Sequence, residues 1–257
     1  MVQPETSPSH TFSFGVVPQE TASILARRWT PFLAYLSAKT SYTLVFQTAK
    51  DNATFEERLA AGSYDAAYMN PAHYVRFHRA PGYYAFAKEK DTRLEGIVVV
   101  QKDAPYRTLA DLGHHTLAFP AATAFAGSTL VQAQLNREGV PFAAVHLDSH
   151  DSVYLSVARG LYIAGGGIRR TLEGLKPGVR QQLRILSSTP SYTPHAFAAH
   201  PRVPAVVVAS LRQAMEQMAE DSQGQQLLKS LLFTGFEAAH DVEWDDVRTL
   251  FLTFIAE

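Results

Sequence analysis

The stretch Ala118-Phe-Pro-Ala-Ala-Thr-Ala-Phe-Ala-Gly127-Ser-Thr-Leu130 decides how this chain is read. Thr116–Phe119 has the apolar, β-type character of a buried strand. Pro120 heads a run of small residues, and from Gly127 to Arg137 the spacing becomes helical. A strand that ends in a small-residue loop and enters a helix aims unpaired backbone N–H groups at whatever lies above the loop. That is the usual way to hold an anion.

Outward from this loop, β-type runs alternate with amphipathic stretches of helical length. The pattern predicts strands at Thr11–Val17, Tyr42–Gln47, Ala66–Met69, Tyr83–Lys88, Glu95–Gln101, Thr116–Phe119, Ala143–Leu147 and Leu183–Ser187. Helices are predicted at Glu20–Ala38, Thr54–Ala60, Ala72–Arg79, Gly127–Arg137, Ser152–Arg159, Pro204–Glu220, Gln223–Leu232 and Asp245–Phe254. The alternation predicts an α/β chain with mostly parallel sheets. Two strands, Glu95–Asp103 and Leu183–Ser188, are placed as crossings between lobes. The expected layout is a first lobe of residues 11–101 and 189–257 with an inserted second lobe of 102–188. From Pro204 onward no further strand is expected. Two lobes joined by two strands form a cleft able to close on a ligand.

Composition bounds the function. The 257 residues suffice for two lobes, with 46% hydrophobic and 18% charged residues. A formal charge of −1 gives no bulk field toward nucleic acid or an anionic membrane, and no apolar run reaches the roughly 18 residues of a membrane span. Residues 1–10 read as a polar, disordered lead-in without the apolar core of a signal peptide. A secreted chain whose leader has been removed reads the same way. With zero cysteines, disulfides, thiolate metal sites and cysteine nucleophiles are excluded.

Catalytic motifs are missing. No Gly-x-Ser-x-Gly or His-Glu-x-x-His occurs, and the adjacent His150 and Asp151 face different directions, so they cannot form a relay. Gly165-Gly-Gly-Ile-Arg-Arg170-Thr lacks the Lys-Ser/Thr of a phosphate loop and the spacing of a dinucleotide fingerprint. It reads as a strand end where backbone approaches the cleft, with at most one of Arg169 and Arg170 turned inward. Ten histidines and eleven tyrosines allow a metal reading on Tyr68, His150, Tyr192 and His195. No His-x-x-x-His pair marks a zinc site on one helix, and the five-residue spacing of His73 and His78 turns those side chains apart.

Several segments, in order, resemble the phosphonate- and phosphite-type periplasmic solute-binding proteins of ABC importers. They are Phe14-Gly-Val-Val-Pro18, Trp29-Thr-Pro-Phe32, Gly62-Ser-Tyr-Asp-Ala-Ala-Tyr-Met-Asn-Pro71, Leu109-Ala-Asp-Leu112, the Phe119–Gly127 loop and Ser149-His-Asp151. The resemblance implies a two-lobed, type II-like fold of two mixed sheets flanked by helices, with a hinge of two crossing strands. It also implies a periplasmic location, no catalysis and no cofactor. The partners it implies are a small-molecule ligand and an ABC permease or a membrane sensor such as a histidine kinase, with the protein itself a monomer.

Carried over position by position, the resemblance places Tyr68 and His150 at ligand-contacting positions. Where the family loop reads Ser-Thr-Ser-Gly, this chain has Ala124-Phe125-Ala126-Gly127. A family tyrosine before the second helix is matched by Asn52, and two acidic positions that hold the amine of aminophosphonates correspond to Arg170 and His195. Each lost hydroxyl removes a charge-assisted donor worth ~1.5–3 kcal/mol. A more anionic organic ligand is therefore expected, with 2-aminoethylphosphonate bound poorly. The expected ligand set is Tyr68, Asn70, Thr123, Phe125, Ala126, Gly127, Ser128, His150, Arg170 and His195. Other roles stay open for several of these: core packing for Tyr68 and Phe125, capping for His150 and Thr123, and a helix start for Asn70-Pro71.

Overall fold

The computed structural model describes residues 11–147 and 149–255, with side chains to 250. The expected lead-in at 1–10 lies outside the described residues. The chain divides into two compact units.

Unit 1 opens with β1 (Thr11–Val16), α1 (Ala22–Thr40), β2 (Thr43–Gln47), α2 (Asn52–Ala60), β3 (Ala66–Met69), α3 (Pro71–Arg79) and β4 (Tyr84–Glu89). Unit 2 follows with β5 (Gly96–Gln101), β6 (His115–Phe119), a π-helical turn (Phe125–Leu130), α4 (Val131–Arg137), β7 (Phe142–His146) and α5 (His150–Ala158). It closes with β8 (Ala164–Ile168), α6 (Arg169–Glu173), α7 (Pro177–Arg180) and β9 (Leu183–Ser188). The chain then returns to unit 1 with β10 (Ala196–Ala199), α8 (Ala205–Glu216), α9 (Ser222–Leu231), β11 (Phe236–Ala238) and α10 (Asp245–Ile255).

The sheet of unit 1 runs β11-β4-β10-β3-β1-β2. β1 pairs in parallel with β2 and β3, and the β10 and β11 pairings are antiparallel. Leu25, Trp29, Phe32, Leu33 and Leu36 recur at helical spacing and form the buried face of α1. Trp29 meets Tyr68, Phe197 and Phe233 with ring centroids 4.8, 6.1 and 6.0 Å away. Asp221 caps α9 by accepting from Gly224 N–H at 2.6 Å, and it also accepts from Tyr35 at 2.7 Å and pairs with Lys39 at 3.0 Å, which ties α9 to α1.

The sheet of unit 2 runs β7-β6-β8-β5-β9 and is also mixed: β6 pairs in parallel with β7 and β8, β5 antiparallel with β8 and β9. Its central strand β8 carries Gly165, Gly166 and Gly167 in its interior, which corrects their reading as a strand end. Close approach explains them. A methyl group on Gly165 would lie 2.4 Å from Val153, on Gly166 2.1 Å from the Gly127 carbonyl, and on Gly167 2.1 Å from the Tyr154 hydroxyl.

The boundaries also differ from those expected. Unit 2 comprises Gln19–Thr21 and Arg93–Thr193 rather than 102–188. β5 is buried along nearly its whole length and hydrogen-bonded on both sides within the second sheet, so it belongs wholly to that unit. The chain passes between the units at 92/93 and 193/194. Just inside unit 2 these two segments are stitched by Leu94–Tyr192 backbone bonds of 2.7 and 2.9 Å and by Arg93, which donates to Thr193 Oγ1 and the Ser191 carbonyl. The strands β8, β10 and β11 were not expected, and β11 shows that the region after Pro204 does contribute to a sheet.

Candidate functional site

In unit 2 the site is built where β6 ends. Ala124 N–H donates to the Ala121 carbonyl, and the N–H groups of Ser128 and Thr129 both donate to Ala124 O at 2.9 and 3.2 Å. The turn is wide enough to be a π turn before it tightens into α4. Among the described residues no acceptor is found for the backbone N–H of Ala126 or Gly127. Glycines bring this turn down onto the sheet: methyl groups on Gly96 and Gly166 would lie 2.4 and 2.1 Å from the carbonyl oxygens of Ala126 and Gly127.

His150 stands beside the turn. A methyl group on Gly127 would lie 2.8 Å from its Nε2. Ser149 caps α5 by accepting from Ser152 N–H at 3.1 Å, so the capping role open to His150 belongs to its neighbour. The imidazole is 4% exposed, and neither ring nitrogen has a hydrogen-bond partner. Burial pushes its pKa down to about 4, and the nearby backbone of Gln19 offsets only part of that without a full hydrogen bond. The ring is therefore neutral at pH 7, with one donor and one acceptor unused. An unsatisfied buried polar group of this kind costs ~1–3 kcal/mol unless something fills it.

The other expected residues of this unit divide. Ser128 is fully buried and donates to the Pro120 and Ala121 carbonyls at 3.1 and 2.9 Å. Its proton braces the loop, which corrects its expected role as a ligand donor. Phe125 is buried edge-on against Tyr192, with centroids 6.0 Å apart. Thr123 is exposed, and Arg170 is half-buried near the start of α6 while Arg169 is exposed. Tyr154, which sequence reasoning missed, accepts from Ile168 N–H and donates to Ile168 O, and its hydroxyl lies 2.9 Å from Thr171. It fixes the β8–α6 corner from which Arg170 projects. The signal in the sequence was the glycine at 167, which leaves room for that hydroxyl.

Unit 1 holds Tyr68, Asn70 and His195. Tyr68 and His195 are buried and stacked, with centroids 4.9 Å apart and planes 18° apart. Asn70 Oδ1 accepts from His73 N–H at 2.8 Å and caps α3, with Pro71 as its first residue, so its helix-start role is the one observed. Asn52, buried at the start of α2, has an Oδ1 without a partner. His73 is held by Glu56 at 3.1 Å and kept neutral mainly by burial. Of the Tyr/His metal set, Tyr68 and His195 meet in unit 1, whereas His150 and Tyr192 belong to unit 2. Among the described residues no cluster of three His, Cys, Asp or Glu is placed to hold a metal ion, and no helix is long and apolar enough to cross a membrane.

Two α/β units with one mixed sheet each, the second inserted in the first, define a two-lobed solute-binding protein. A family model for the phosphonate periplasmic substrate-binding protein of ABC transporters matches residues 14–244, and the chain belongs to that family. No curated protein sequence matches the chain significantly. Among solved structures, a binding-protein component of an ABC phosphonate transporter from Pseudomonas aeruginosa is 18% identical, with a TM-score of 0.87 over 95% of this chain and 86% of that one. PhnD1 from Prochlorococcus marinus, in complex with methylphosphonate, is 16% identical, with a TM-score of 0.87 over 96% and 98% of the two chains. XAC2383 from Xanthomonas citri, bound to chloride ion, is 18% identical, with a TM-score of 0.75 over 93% and 95%.

Proposed function

We propose that this protein captures a small oxyanionic organic ligand in the periplasm and delivers it to an ABC permease. The observation that carries the reading is His150: a neutral, buried imidazole with both nitrogens unfilled, set against the helix-entry turn whose Ala126 and Gly127 amides find no acceptor among the described residues. Backbone amides at a helix start favour an anion whatever the side chains are. Family membership supports transport rather than catalysis.

The ligand is not a cationic aminophosphonate. The loop hydroxyls that the resemblance implies are replaced by Ala124, Phe125 and Ala126, Ser128 spends its proton inside the loop, and the resemblance matches Arg170 and His195 to the two acidic amine-holding positions. The test is mass spectrometry of whatever co-purifies with the protein, followed by calorimetry with a panel of oxyanions. An alkylphosphonate without an amine should bind more tightly than 2-aminoethylphosphonate, whose binding should be millimolar or absent; nanomolar binding of the latter would overturn this specificity. His150→Ala should weaken binding about tenfold or more, since a charge-assisted hydrogen bond is worth ~1.5–3 kcal/mol. The ligand-free melting temperature should barely change.

A further inference from the structure

We propose that the unit 2 site binds its oxyanion together with one proton, which His150 takes up. This rests on the reading above and adds how the site is regulated. The ring stands against the turn that carries the Ala126 and Gly127 amides: Nε2 is 2.8 Å from the position a Gly127 methyl would occupy. A neutral imidazole with a free acceptor nitrogen meets an oxyanion poorly on that side, since two lone pairs then face each other. Protonation converts the ring into two donors and gives the buried anion a counter-charge.

Among the described residues no charged side chain acts on the ring. The π turn, β5 and β8 carry no titratable residue, and β6 carries only His115 at its opposite end. On α5 the neighbours are Asp151 and Tyr154, and burial holds the Tyr154 hydroxyl far above its ordinary range. The packed elements α6, α7 and β9 carry Arg169, Arg170, Glu173, Arg180 and Arg184, and the Gln19–Thr21 segment carries the half-buried Glu20; none of these contributes to the lowered His150 value. Among the described residues, the influences on the ring are burial and, opposing it, the Gln19 backbone.

The sign follows. Ligand-free, the ring is neutral above about pH 4, and a bound anion raises that value. Between the two values every binding event carries a proton, so affinity rises as pH falls, by up to about tenfold per pH unit.

The experiment is calorimetry of the intact protein with methanesulfonate, whose charge is constant, and with methylphosphonate, from pH 8 to 5.5 in buffers of different ionisation heat. The His150 ring nitrogens are followed by NMR in the same titrations. Expected are proton uptake, tighter binding at acid pH and a neutral-to-imidazolium change on binding, with the pH dependence lost in His150→Gln. The NMR arm reads the wild-type protein, so it holds even if that variant fails to fold or only one probe binds. Binding with a neutral ring and no proton uptake overturns the linkage and leaves the oxyanion reading intact. Failure of both probes to bind or stabilise the protein at any pH overturns both.

Discussion

A methyl group on Gly166 would lie 2.1 Å from the carbonyl oxygen of Gly127, a backbone atom that cannot swing aside. Gly166→Ala should therefore destabilise the protein by ~3 kcal/mol or more, read as a shift in the urea midpoint. Gly178 in α7 has nothing within 4 Å of the same position, so Gly178→Ala should be neutral or stabilise by up to ~1 kcal/mol. Equal effects of the two substitutions would refute this account of the turn. The same scale explains what could be read of the site in advance. His150 and Gly127 were legible because they occupy fixed places around a strand–loop–helix. The direction of the Ser128 hydroxyl was not, because two carbonyls of its own loop compete for that proton. The start of α3 at Asn70-Pro71 was legible, because proline suits the first helical turn, and Asn70 caps that helix by accepting from His73 N–H.

At the scale of elements, the cap of α5 separates stability from binding. Ser149→Ala removes the acceptor for Ser152 N–H and should cost ~1 kcal/mol, visible in thermal melts, with less effect on ligand affinity than His150→Ala. Asp221 supplies a pH test for the α1–α9 contact. Hydrogen bonds from Gly224, Tyr35 and Lys39 hold its carboxyl well below the ordinary carboxylate value of 3.8. A depressed folded value means its contribution is present above that ordinary value and lost as pH falls toward the folded one. Asp221→Asn should thus lower the melting temperature at pH 6 and matter progressively less below pH 4; an unchanged difference at pH 3 would contradict the assignment. Most strands and helices were legible because their apolar periodicity is strong, as in Leu25, Trp29, Phe32 and Leu36 of α1. β8 was not, because three of its five residues have no side chain to alternate. β10 and β11 are short, and their pairing with β4 is a long-range choice that local pattern does not encode.

Across the molecule, the first crossing between units lies before β5 rather than after it, and the second lies at 193/194 rather than 188/189. β5 and β9 are expected as connectors, but both are spent on pairing within the second sheet. The connections proper are the short segments beside Leu94 and Tyr192. Arg93 is the side chain that spans them, reaching Thr193 and Ser191 at 3.1 Å each. It is exposed, so Arg93→Ala should leave the melting temperature within a few degrees while the Leu94 and Tyr192 amides exchange faster with deuterium. Unchanged exchange at both would show that the backbone pair needs no such support.

The glycine strand also bears on the order of assembly. β8 joins β5, some 70 residues earlier in the chain, to β6, yet Gly165–Gly167 loses more chain entropy on being fixed than any other tripeptide here and brings no side chain to a nascent collapse. Its neighbours must already stand in place to receive it. In pulse-labelled refolding, the amides of 164–168 should become protected after those of β5 and β9, making the centre of the second sheet its latest part to form.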